Sequence, residues 1–171
     1  MGDIHHISNT DAPRVREVIK ILDEVSDPEI PVLTVNDMGI IRDVKFIGEL
    51  LEISITPTYS GCPAMDAISV DITKALRDHG YKNVKIKTVL SPAWTTDWLT
   101  ESGKEKLMKY GISPPEHSAN KKSLLGEEAV VKCPRCKSTH TVMISNFGST
   151  ACKALWKCED CKEPFDYFKC I

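Results

Sequence analysis

The chain has 171 residues, 42% hydrophobic and 27% charged, with a mean hydropathy of −0.20 and a formal net charge of −2. These values exclude a disordered or fibrous chain and describe a soluble globular one, long enough for one ordinary domain or two small ones. No apolar run approaches the ~18–20 residues of a membrane span, and MGDIHHISNTDAP has neither the basic stretch nor the apolar core of a secretory signal, so the expected compartment is the cytoplasm.

In chain order, Val15, Val18, Ile19, Leu22 and Val25 follow Pro13 at the i, i+3, i+4, i+7 spacing of a helix that buries one face. SDPEIPVLTVNDMG, residues 26–39, reads as a structured loop, because Pro28 and Pro31 remove backbone donors. Residues 40–47 are β-branched and apolar, Gly48-Glu49 supplies a turn, and Leu51, Ile53 and Ile55 alternate with Glu52, Ser54 and Thr56, which predicts two strands. A second helix is predicted from Pro63 to His79, with Met65, Ile68, Ile72 and Leu76 on one face and Gly80 as its stop. Residues 84–90 alternate again as a third strand. Ser91-Pro92 has the form of an N-cap and a first-turn proline, predicting a short helix over AWTTDWL that stacks Trp94 above Trp98 in the core. A further helix from Glu101 to Tyr110 ends at Gly111.

The predicted fold class is therefore α+β. An α-β-β-α-β-α domain spans residues 11–110, a polar, proline-bearing linker 111–128, and a small β module 129–171, in which VVK, THTVMIS, ACKALWK and FDYFK are short strands around the knuckles CPRC and CEDC. Charge divides the same way. Residues 130–171 hold seven Lys/Arg against four Asp/Glu, a balance of +3 that leaves −5 for the first 129.

The seven cysteines are unevenly placed. Only Cys62 precedes residue 133, whereas Cys133, Cys136, Cys152, Cys158, Cys161 and Cys170 crowd into the last thirty-nine residues. An odd total and two Cys-x-x-Cys pairs speak against a disulfide framework and for thiolates on metal. The twenty-one residues between the pairs slightly exceed the ~15–20 of a usual two-knuckle zinc site, which suits an intervening hairpin. Cys133, Cys136, Cys158 and Cys161 are thus expected to hold a structural Zn²⁺, with iron or an iron–sulfur centre as the alternative. Four protein ligands leave no open position for catalysis, and structural zinc contributes ~10–16 kcal/mol of apparent binding free energy in a module too small to fold alone. Cys152 and Cys170 are either small buried hydrophobes or extra thiolates for transient metal handling. Zinc ribbons also serve nucleic acid. Here four thiolates on Zn²⁺ add −2 and bring +3 to +1, far from the cations needed for the ~6–10 phosphate contacts of DNA binders, so no nucleic-acid partner is expected.

Cys62 stands between Gly61 and Pro63, after a strand and before a helix, which places it at or next to the N-cap. Unsatisfied N–H groups and the helix dipole there favour thiolate, suiting a nucleophile, a redox thiol or a metal ligand, although a structural cysteine also fits. Asp27, Glu29 and Asp37 can turn toward it, or serve as turn residues in their own loop. Thr58, with Tyr59 and Ser60, can cap the Cys62 loop or donate to a ligand. A general base is not evident. His79 is at the far end of the helix that Cys62 opens, roughly 25 Å away at 1.5 Å per residue.

SDPEIPVLTVNDMGIIRDV followed by TPTYSGCPAMDAI resembles the small α/β domain shared by accessory proteins of iron–sulfur cluster assembly. The runs LSPAWTTDWLTE, LMKYGISPP, CPRC, FGSTACKAL, CEDC and EPFDYFKCI are similar to one branch of it, the phenylacetate-degradation protein D branch, encoded with the multicomponent phenylacetyl-CoA epoxidase. The family's DPE, Gly-Cys-Pro and paired Cys-x-x-Cys motifs fall on Asp27, Pro28 and Glu29, on Gly61, Cys62 and Pro63, and on Cys133, Cys136, Cys158 and Cys161. The resemblance implies a non-catalytic maturation role in aerobic phenylacetate degradation, inserting or maintaining the iron–sulfur cluster of the reductase subunit or the di-iron centre of the oxygenase. A Glu-x-x-His pair, a glycine-rich dinucleotide fingerprint and plant-type ferredoxin spacing are all missing, so the chain lacks the equipment of oxygenase or reductase.

On this reading Cys62 is a labile ligand for iron or an iron–sulfur cluster. One thiolate cannot hold a cluster, so the remaining ligands come from a homodimer mate or from the client. The alternatives are a thiol enzyme using Cys62 and a ribbon scaffold or regulator that carries no cluster.

Overall fold

In the computed structural model, which describes residues 12–115 and 130–169, the apolar stripes become the buried faces of helices, except that Ile19 and Met65 stay half-buried at the margins while Ile21 and Ala64 are buried. The chain divides into two compact units, Met1–Gly103 and Lys104–Ile171. In the first, α1 (Ala12–Leu22) buries Val15, Val18, Ile21 and Leu22. It stops before Val25, whose carbonyl instead accepts the Val35 N–H at 2.9 Å, so the last apolar residue of the stripe packs from a loop. β1 (Ile41–Ile47) and β2 (Leu50–Ile55) form an antiparallel hairpin turned by Gly48 at φ +61°. α2 (Ala64–Asp78) then crosses to β3 (Val84–Thr88), which runs parallel to β2 and closes a sheet of order β1-β2-β3. Ala64, Ile68, Ile72 and Leu76 are the buried face of α2, which packs on α1 and β3.

The central strand departs from simple alternation. Leu51, Ile53 and Ile55 are fully buried, but Glu52 and Ser54 are buried as well, because β2 has neighbours on both sides. Glu52 is held between Lys45 of β1 at 2.9 Å and Lys85 of β3 at 3.2 Å, and these two ammonium groups keep its carboxyl below the ordinary value.

The predicted helix over AWTTDWL is corrected to a single 3-10 turn, Thr96–Trp98. The Ser91-Pro92 peptide is cis, and the two indoles take separate partners in place of stacking. Trp94 is buried with Nε1–H donating to the Met38 carbonyl at 2.9 Å, whereas the Arg42 guanidinium lies 3.7 Å from the Trp98 ring centroid. Local capping signals are outweighed by these long-range contacts. α3 follows as predicted, from Glu101 to Tyr110, with the division between the two units falling after Gly103 inside it.

The second unit holds a four-stranded sheet of order β4-β7-β6-β5. β5 (Thr141–Ser145), β6 (Lys153–Cys158) and β7 (Pro164–Phe168) pair antiparallel in succession. Two differences from the sequence reading appear. Ile112 and Ser113, at the start of the expected linker, form β4 and pair parallel with Asp166 and Tyr167 of β7. VVK is not a strand. Val131 is buried, and its carbonyl is taken by the Thr141 hydroxyl at 2.8 Å, a side-chain contact in place of a ladder. Most of the expected linker, residues 116–128, lies outside the described residues. Among those described, no helix is long and apolar enough to cross a membrane.

Candidate functional site

The loop from β2 to α2 presents Cys62. Gly61 takes φ +79°, a left-handed conformation that glycine adopts without cost, and reverses the chain so that the Cys62 N–H reaches the Tyr59 carbonyl at 3.3 Å. Pro63, already in helical conformation, is the residue preceding the helix, so α2 starts at Ala64 and Cys62 stands just outside the cap. The Met65 N–H closes the turn onto the Cys62 carbonyl at 3.3 Å.

Proximity to the helix start favours thiolate, yet the balance runs the other way. Burial pushes the Cys62 thiol above its ordinary range. The Ala64 N–H and the Tyr59 hydroxyl pull it down, and the Glu29 and Asp27 carboxylates push it up again. Burial, reinforced by the smaller push of the two carboxylates, thus opposes a bare thiolate at Cys62.

The loop bearing the acids is built by side-chain caps. Asp27 is buried, and its Oδ1 accepts the Glu29 and Ile30 N–H groups, both at 2.7 Å, which is its turn-forming role beside exposed Pro28. Glu29 is half-buried and contributes with Asp27 to the potential at Cys62. Asp37 is also buried. Its Oδ2 accepts the Thr34 N–H at 3.1 Å and hydroxyl at 3.0 Å, and its Oδ1 accepts the Thr100 hydroxyl at 3.2 Å. The Thr100 N–H returns to the Asp37 carbonyl at 2.9 Å, fastening residues 34–37 to the approach of α3. Sequence reasoning misses Thr34 and Thr100, although Thr-x-x-Asp over 34–37 is the pattern of a local reciprocal cap. Thr58 is buried at the root of the Cys62 loop.

In the second unit the sulfurs of Cys133, Cys136, Cys158 and Cys161 lie within 4.8 Å of one another. Cys133 to Cys161 is 3.6 Å and Cys136 to Cys158 is 3.5 Å. A tetrahedron of sulfurs ~2.3 Å from a central Zn²⁺ has edges of ~3.8 Å, so the cage fits such an ion. The two knuckles are built alike. The Cys133 N–H donates to the Ser138 carbonyl at 2.8 Å and the Cys158 N–H to the Glu163 carbonyl at 2.9 Å. Lys137 and Lys162, each directly after the second cysteine, both take left-handed φ, 65° and 63°. That conformation costs a non-glycine residue ~1–2 kcal/mol, and here it aims both sulfurs of each turn at one point.

The knuckles are braced across the site. Asp160 accepts the Ser138 hydroxyl and His140 Nδ1 (3.1 Å), and Arg135 Nη1 donates to Glu163 at 2.6 Å. His140 is thus committed to a carboxylate beside the cage. Val131 and Phe165 pack with Cys133 and Cys158, and Trp156 meets Tyr167 edge-on with ring centroids 6.0 Å apart. The thiols are unequal. The Cys161 N–H and then the Asp160 N–H hold Cys158 down to about 7, whereas Cys161, despite the Glu163 N–H, is pushed up to about 12 by desolvation and its sister thiols. A divalent cation at the centre favours the thiolate at all four. Cys152 is buried outside this group, with Thr150 Oγ1 at 3.0 Å, and Cys170 lies outside the described residues.

Comparison with known proteins follows the same division. A family model described as "Iron-sulfur cluster assembly protein" matches residues 16–88, and one described as "PaaD zinc beta ribbon domain" matches residues 117–169. The Escherichia coli (strain K12) protein named as the putative D subunit of 1,2-phenylacetyl-CoA epoxidase is 51% identical over 159 residues, covering 93% of this chain and 94% of that protein. The chain belongs to the D-subunit family of phenylacetyl-CoA epoxidase. The "Fe-S protein maturation auxiliary factor" of Porphyromonas gingivalis (strain ATCC BAA-308 / W83) is 33% identical over 98 residues, 56% of this chain and 90% of that protein. The solved domain of unknown function DUF59 from Bacillus anthracis matches with a TM-score of 0.51 at 24% identity, over 54% of this chain and 89% of that one, a likeness of fold.

Proposed function

We propose that this member of the D-subunit family is a non-catalytic maturation factor of a multicomponent phenylacetyl-CoA epoxidase. Cys62 serves as a transient ligand for iron or an iron–sulfur cluster bound for the reductase or oxygenase subunit, and Zn²⁺ on Cys133, Cys136, Cys158 and Cys161 holds the ribbon that docks the client. The observation carrying this reading is the setting of Cys62: a half-buried sulfur at a glycine-turned loop, with Glu29 and Asp27 close enough to raise its pKa. An acidic surround opposes a free thiolate and attracts a cation, and a cation arriving there displaces the thiol proton. The relatives named for iron–sulfur assembly and maturation support the same direction for the first unit.

Anaerobic reconstitution with iron and sulfide tests it. Wild type takes up iron that Cys62→Ser does not, while the ribbon metal is unchanged. Equal uptake by both would remove Cys62 from the role.

A second reading keeps the ribbon as a scaffold and leaves Cys62 without cargo. The upward push on the Cys62 thiol favours it over a thiol enzyme, since the thiolate is the nucleophile and burial disfavours it. Full client activity with Cys62→Ser is its signature.

A further inference from the structure

β5 is the outer strand of the ribbon sheet. β6 pairs along one edge, and among the described residues nothing pairs along the other. Val142, Met143 and Ile144 follow one another at 44%, 54% and 53% exposure, and Phe147 just beyond is 63% exposed. Val142 and Met143, paired in register with Lys157 and Trp156, point to opposite faces, so the exposed apolar residues leave both faces bare. A body resting on one face would cover half of them. A strand laid alongside borders both.

The edge lacks the charges and proline that commonly guard one, although β5 is short and its pairing with β6 is shifted between Met143 and Ser145, which leaves Ile144 out of the ladder. STHTVMISNFGST, residues 138–150, contains no Asp, Glu, Lys, Arg or Pro, whereas the outer strand β3 of the other sheet exposes Lys85 and Lys87. Nearby cations are already engaged: Lys157 and Lys162 on Glu159, Arg135 on Glu163, and Lys169 on the Asn146 carbonyl and over the Phe147 ring.

We infer that β5 is a pairing edge for a second copy of this chain, the two β5 strands running antiparallel about a two-fold axis to join their sheets. An uncharged run meets itself with no like charges facing across the ladder, whereas a strand such as β3 would set lysine against lysine. The isologous contact closes on itself and consumes the exposed edge of both copies. A ladder of at most five residues, interrupted by the bulge at Ile144, buries less than the ~1,200 Å² of a standard stable interface, so the dimer is reversible and concentration-dependent. It forms or fails independently of what Cys62 binds.

Sedimentation equilibrium of the full-length, metal-loaded protein tests the pairing. Wild type shows a reversible monomer–dimer equilibrium, and Met143→Lys and Ile144→Lys each weaken it by at least about tenfold, because like charges then oppose across the axis. Both positions are exposed, so the variants keep the wild-type metal content and circular dichroism. Amide exchange at residues 141–145 slows as wild-type concentration rises. A monomer at every concentration up to about 1 mM overturns the inference. So does a dimer that neither lysine weakens, or β5 amides equally protected in the monomer, which would mean that the chain's own segment covers the edge.

Discussion

A methyl group added at Gly39 would lie 2.2 Å from the carbonyl oxygen of Trp98, on a backbone at φ +64°. Both overlap and left-handed strain act there, and Gly39→Ala is expected to cost about 1–3 kcal/mol, read as a lower denaturant midpoint at unchanged slope. The turn itself is legible as Asn-Asp-Met-Gly over 36–39. Its neighbour is not, because Trp98 arrives by tertiary folding. Cys62 repeats the lesson. Gly61 and Pro63 mark its position before a helix, and the Ala64 N–H at the helix start does pull on the thiol. What no local pattern reveals is that burial, with a smaller push from the carboxylates of Asp27 and Glu29, far back in the sequence, outweighs the helix start.

Among the elements, β2 shows how far alternation carries. Leu51, Ile53 and Ile55 are legible as the buried face, while alternation makes Glu52 an ordinary polar position. It is instead the buried anion between Lys45 and Lys85, because β3, distant in sequence, pairs parallel on the far side. Its carboxyl is held below the ordinary 4.5, so the unfolded chain binds its proton first as pH falls. The stabilisation is complete above about pH 4.5 and is lost as pH drops through the lowered folded value. Urea midpoints measured from pH 7 to pH 2 are expected to fall less steeply in Glu52→Gln than in wild type over that acid range. An identical slope would remove Glu52 from the acid response. The knuckles are the most legible elements, since Cys-x-x-Cys encodes a turn. Their braces, Ser138 and His140 on Asp160, depend on the register of β5 against β6 and cannot be read locally.

At the scale of the whole molecule, two units have different sources of stability. The first buries a continuous set of aliphatic side chains from α1, α2 and the three-stranded sheet. In the ribbon, the buried cluster around the cage is Val131, Cys133, Cys158 and Phe165, half of it metal-ligand candidates. Structural zinc supplies ~10–16 kcal/mol in comparable small modules, so stripping the ion from the intact chain with a tight chelator is expected to collapse the dispersed amide resonances of residues 130–169 and leave those of 12–100 in place. Retention of both sets after the metal is gone would contradict the four-cysteine assignment. That a cysteine-rich β ribbon follows the α+β part is legible from where the cysteines fall, but β4 is not, since Ile112 and Ser113 are too short a run to announce a strand without β7 beside them. The proposed function spans both units, with one sulfur to carry and four to fold. The most direct test of that division is the iron and sulfide content of the epoxidase reductase and oxygenase subunits, purified after co-expression with wild type, with Cys62→Ser, or without this chain. Metal-replete clients with wild type only, with Cys62→Ser matching the empty control, is the predicted result. Clients equally loaded in all three would contradict it.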